Sequence, residues 1–105
     1  MKVQILDRAT NDLVEGFHFY EAQQGGLGSY FLTNLYADIE SLILYGGIHE
    51  KVHQHYFRLL SRRFPFAVFY TTEKDIVFVH AVLDCRQNPA WLRERLESNR
   101  QSRRQ

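Results

Sequence analysis

The sequence predicts an α+β fold, a helical hairpin packed on a mostly antiparallel four-stranded sheet in the order β-α-α-β-β-β-α. Three observations predict it. Apolar residues recur at helical spacing through two segments separated by "GGLG", Gly25 to Gly28. From His53 the period changes, and three runs rich in aromatic and β-branched residues follow one another. "NPAWLRERL" then reads as the opening of a last helix. Helices gathered before a run of strands point to an α+β layering.

Each element has a local reason. "KVQIL" alternates Val3 and Ile5 with polar neighbours, the period of a strand. Asp7 is placed as the N-cap of a helix from Arg8 to about Gln24, whose stripe is Ala9, Leu13, Gly16, Phe17 and Tyr20. The glycines stop that helix, since glycine takes the left-handed conformation that closes a helical end. A second helix is expected from Ser29, with Phe31, Leu35, Ile39, Leu42 and Ile43 as its stripe and "YGG" as its stop. A short glycine link between two helices makes an antiparallel hairpin. "HQHYFRLL", "FPFAVFYT" and "IVFVHAVLD" are the three remaining strands, with "SRR" and "TEKD" as turns. Pro65 cannot donate to a ladder and belongs at a strand start or edge. Asn88 is the expected cap of the last helix, with Pro89 at its first position, where a missing N–H costs nothing.

A chain of 105 residues is one domain. At that size a chain buries roughly two-thirds of its unfolded surface and needs no staple to hold a core. The domain is assigned to residues 1–97, and 98–105 is expected to be a polar, basic, mobile tail. A single cysteine, Cys85, allows no internal disulfide and fits a reducing compartment. With no apolar run of signal-peptide or membrane-spanning length, a cytoplasmic location and no membrane partner are expected.

The net charge of +1 hides an asymmetry. Residues 1–52 carry three basic side chains against seven acidic ones, and residues 53–105 carry ten against five. The second half therefore suits an acidic partner or a polyanion. Arg58, Arg62, Arg63 and Arg86 are the candidate binding residues, because guanidinium forks hold carboxylate and phosphate oxygens bidentately. His53 and His55, read on one strand, would share a face, but a zinc site needs a third or fourth ligand, so no metal and no cofactor are expected. His80 reads as a hydrogen-bonded strand residue, Cys85 as structural, and Trp91 as the anchor of the last helix. "GGLG" lacks phosphate-loop spacing. No residue is singled out as catalytic.

Three stretches, "YEAQQGGLG" from Tyr20, "RFPF" with Tyr70 downstream, and "AVLDCRQNPAW" from Ala81, occur in this order. Together they resemble the RelE/ParE toxin family of bacterial type II toxin–antitoxin systems, the plasmid-stabilisation type. The resemblance runs from about Asp12 to Leu96. It implies a toxin held inactive by a cognate antitoxin, and Arg86 matches a basic position shared by the family's two branches. One branch poisons DNA gyrase without catalysis of its own; the other cleaves messenger RNA on the ribosome. "RFPF" and "GGLG" sit nearer the ParE-like, gyrase branch. The first strand of the meander lacks the lysines usual in the ribonuclease branch, and residues 91–105 lack its tyrosine or histidine. Asp84 stands where many relatives have histidine, close enough to pair with Arg86.

Overall fold

The computed structural model describes residues 1–53 and 55–104, with side chains to Asn99; Gln54 and Gln105 lie outside the described residues. The elements are β1 (Lys2–Ile5), α1 (Asp7–Gln23), α2 (Leu27–Glu40), the single turn α3 (Leu42–Tyr45), β2 (Glu50–Val52), β3 (Tyr56–Leu60), β4 (Phe66–Glu73), β5 (Ile76–Asp84) and α4 (Pro89–Arg104). Among the described residues the sheet has five strands, not four, in the order β1-β5-β4-β3-β2. The added strand is β2, whose "EKV" carries no apolar run; it is an edge piece paired only with β3. β1 runs parallel to β5 and the remaining neighbours are antiparallel.

α1 begins at Asp7, so the aspartate is a first-turn residue and Leu6 holds the cap position without a side-chain bond. A carboxylate in the first turn still favours the helix dipole. At the hairpin link Gly26 is left-handed, with φ at 89°. The Glu21 carboxylate accepts from the Gly26 and Gly28 N–H groups at 3.0 Å, which starts α2 at Leu27, earlier than expected. A Cβ at Gly28 would meet the Phe17 carbonyl at 2.7 Å, so only glycine lets the two helices close this tightly.

The sheet is covered on both faces. The hairpin side buries Leu13, Phe31, Leu35, Leu42, Phe66, Val68, Tyr70, Val77 and Val79. The α4 side buries Tyr56, Ala67, Phe69, Ala81, Leu83 and Leu96. Alternation along β4 sends Phe66, Val68 and Tyr70 one way and Ala67 and Phe69 the other. β5 does not alternate throughout. Phe69 pairs with Ala81 but Tyr70 pairs with Val79, so His80 is an extra residue, a β-bulge. Val77 and Val79 before it, and Val82 after it, therefore all face the hairpin.

α4 is tied down chiefly by polar bonds. Asn88 accepts from the Ala90 N–H at 2.7 Å, as a cap should. Leu92 and Leu96 pack on the sheet, while Trp91 is 43% exposed and is not the anchor it was expected to be. The helix continues past Glu97, where the sequence placed the start of a tail. Asn99 is buried and donates to the His80 carbonyl at 2.6 Å. Arg95 grips Asp12 through both oxygens, at 2.7 and 2.8 Å, and the Val82 N–H donates to the same carboxylate. α1, β5 and α4 thus meet on one aspartate.

Candidate functional site

The C-terminal ends of β3 and β5 and the start of β4 lie together at one end of the sheet. The Ser61 N–H donates to the Phe66 carbonyl at 2.8 Å, and the Cys85 N–H donates to the Pro65 carbonyl at 2.7 Å. Pro65 thus accepts where it could not donate, just before its strand. These bonds set the β3–β4 turn, with Arg62 and Arg63, beside the turn that carries Cys85 and Arg86.

The four arginines of the predicted site differ in availability. Arg58 lies mid-strand and pairs with Glu50 on the neighbouring edge strand at 3.2 Å. Arg86 pairs with Asp84: its Nε and Nη2 bond the two carboxylate oxygens at 3.0 and 2.7 Å, and its backbone N–H adds a third bond at 2.8 Å, while the rest of the guanidinium stays largely exposed beside Tyr20. The Arg86 hydrogen bonds hold the Asp84 carboxyl below the usual carboxylate range, outweighing its partial burial. β5 lies inside the sheet, so Arg86 sits at a strand end and not at the sheet's edge. Arg62 and Arg63 are exposed and, among the described residues, make neither an ion pair nor a hydrogen bond.

Arg62 and Arg63 face the last turns of α2 across a cavity of about 390 Å³, lined also by Asn34, Asp38 and Ser41. Asp38 is 7% exposed, and its Oδ2 has no hydrogen-bond partner; the same holds for Ser61 Oγ, next to Arg62. Buried polar atoms are rarely left so. The cavity offers two free guanidinium groups, whereas Asp38 Oδ2 is itself closed off from solvent. A segment presenting acidic side chains can satisfy the guanidinium groups.

The histidines are placed differently from expectation. His53 and His55 precede β3 in a turn, with His53 at a positive φ of 52°, so they do not share a strand face. His49 bonds the Tyr70 hydroxyl, which also accepts from the Gly47 N–H at 3.0 Å. Burial pushes the His49 pKa down. His80 is buried and bonds Thr71 Oγ1 at 2.8 Å, the structural role its place in the strand suggested. Cys85 is exposed, and partial desolvation pushes its thiol pKa up despite the nearby Arg58, so the flanking arginines do not activate it. No cluster of three metal-ligating side chains occurs among the described residues. No helix among them is long and apolar enough to cross a membrane.

Sequence reasoning missed Asp38 because it matches no site motif. It occupies the buried stripe of α2 between Leu35 and Ile39, and that placement of a carboxylate was the available signal.

No family model matches the chain, and no curated protein does. Among solved structures, a chain described as "Chromosomal ParDE TA system from P. aeruginosa" superposes with a TM-score of 0.72 at 13% identity, covering 78% of this chain and 92% of that one. At that identity the likeness is one of fold: this chain shares its fold with a chain of that system.

Proposed function

We propose that the chain is the toxin of a bacterial type II toxin–antitoxin system, acting in the cytoplasm. In this reading a cognate antitoxin neutralises it, and its toxicity comes from binding DNA gyrase, without catalysis of its own. The observation that carries the reading is the fold likeness to a chain of a ParDE system. The disposition of the arginines supports a binding role. Arg58 and Arg86 already hold carboxylates, which leaves Arg62 and Arg63 to receive the antitoxin's acidic segment.

The test is induced expression in a bacterium, with and without the adjacent reading frame that would encode the antitoxin. Growth arrest, a DNA-damage response and inhibition of purified gyrase are expected, with growth restored by the neighbour. Ribosome-dependent messenger RNA cleavage in place of the DNA-damage response would replace the gyrase reading with the endoribonuclease one. Unaltered growth at confirmed expression would overturn the toxin reading. In the purified complex, Arg62→Ala/Arg63→Ala should weaken antitoxin binding, and wild-type affinity should fall as salt rises, because exposed charges are screened over about 10 Å at 0.1 M.

A further inference from the structure

We infer that the cleft between α1 and α4 seats an arginine side chain projecting from an apolar segment of a partner protein. This surface is separate from the Arg62 and Arg63 cavity and opposite to it in sign.

Asp7, Asn11, Glu15 and Phe19 recur every four residues along α1, and all four are exposed. Spacing of four puts them on one face of the helix. That face borders α4 where Trp91 and Arg95 stand. Two cavities adjoin there, of about 200 and 370 Å³, and Asp12, Glu15, Trp91 and Arg95 line both. The smaller has an apolar floor of Phe66, Val82 and Leu83. Phe19 and Trp91 also line it, although 53% and 43% of their surface remains exposed. Two large aromatic side chains left open on one cleft are the composition of a recognition surface.

The charges select the occupant. Arg95 is held by Asp12 through both carboxylate oxygens, and Arg86 lines neither cavity. Arg8, at the far end of the larger cavity, donates to Ser98 Oγ. Glu15, in the middle, has no partner among the described residues. A carboxylate flanked by aromatic rings suits a guanidinium: the rings attract the cation through their faces and the carboxylate receives its N–H groups. The apolar floor takes the neighbouring side chains of the same segment. An acidic segment or a nucleic-acid backbone would meet a net negative lining: Asp7, Asp12 and Glu15 against Arg8 and Arg95 in the larger cavity, and Asp12, Glu15 and Asp84 against Arg95 in the smaller.

Trp91 is the chain's single tryptophan, so its fluorescence reports this cleft alone. The probe is a capped peptide with one arginine between leucines, titrated against the full chain. Its control is the same peptide with citrulline, which keeps the shape and loses the charge. Saturable change in Trp91 emission is expected with the arginine peptide. Binding should be weaker by at least about ten-fold with citrulline, with Glu15→Gln and with Phe19→Ala, on the scale of a lost cation–π and charge contact. Both substituted positions are exposed, and circular dichroism confirms that each variant is folded. Arg62→Ala/Arg63→Ala should leave the titration unchanged. Equal binding of the citrulline peptide, or an unaffected Glu15→Gln variant, would overturn the proposal. So would Trp91 emission that changes with protein concentration alone, which would assign the cleft to a second copy of this chain.

Discussion

Two aspartate–arginine pairs, chemically identical, do opposite things in this molecule. Asp12 and Arg95 are 83 positions apart, mostly buried, and join α1, β5 and α4. Asp84 and Arg86 are two positions apart, at a strand end, with the arginine side chain 61% exposed. Burial raises the Asp12 pKa above its ordinary value, outweighing the bonds from Arg95 and Val82. The bonds from Arg86 lower that of Asp84, outweighing its burial. One pair fixes architecture at a cost in desolvation; the other holds a side chain in place near water. Ion pairing alone therefore says little about what a residue does, and its surroundings decide.

The largest effect should come from breaking the buried pair. Arg95→Ala strands a buried carboxylate and should cost about 3–5 kcal/mol of unfolding free energy at neutral pH, read by urea denaturation. That loss should shrink in acid, because Asp12, with its raised pKa, takes up a proton and needs the cation less. For the wild type the sign is fixed by linkage. Asp12 binds its proton in the folded state before the unfolded chain does, so its own contribution to stability rises as pH falls from the raised value to about 3.8. Asp84 works the other way: its contribution is complete above 3.8 and is lost as pH falls through the lowered folded value. A variant whose loss is the same at pH 7 and pH 4.5 would break the contrast between the two pairs.

A middle-sized effect tests how far the buried network extends. Asn99→Ala removes the donor to the His80 carbonyl and the acceptor for Arg95 Nε. It should cost about 1–3 kcal/mol, the range for an orphaned buried polar group. A negligible change in urea midpoint would mean that α4 docks through Leu92, Leu96 and Arg95 without it.

The smallest effect belongs to the exposed pair. Arg86→Ala should leave the thermal midpoint nearly unchanged, since exposed pairs contribute little. If the chain is the toxin proposed above and Arg86 serves its target, growth inhibition should drop while the midpoint holds. A fall in both would make Arg86 a structural partner of Asp84, and full toxicity with a normal midpoint would place the target contact elsewhere.

What the sequence disclosed follows the same division between local and distant. "IVFVHAVLD" coincides with β5, and Asn88 and Pro89 open α4 as read, because strand runs and caps are written within a few residues. Glycine at the hairpin link was equally local. β2 escaped notice because three polar-edged residues carry no period. The bulge at His80 escaped because both flanks of β5 are apolar, and a phase change between apolar residues leaves no mark. Asp12–Arg95 was out of reach for a different reason: its partners meet only after the chain has folded. Of the site, the arginines were visible as residue types. Which of them stay unpaired depends on Glu50 and on the turn geometry at Asp84.

The parallel ladder between β1 and β5 has a consequence for the order of events during synthesis. Lys2 pairs with Ile76 and Ile5 with Val79, so β1 has no seat until β5, more than seventy residues later, emerges from the ribosome. The helical hairpin, whose contacts are local, is free to form long before. Loop closure across more than seventy residues must precede that ladder, and with it the completed sheet under both helical layers. A nascent chain halted anywhere before β5 therefore lacks both the Arg86 turn and the α4 face. The finished surface is therefore a late product of synthesis, presented only after β5 and α4 have both joined the fold.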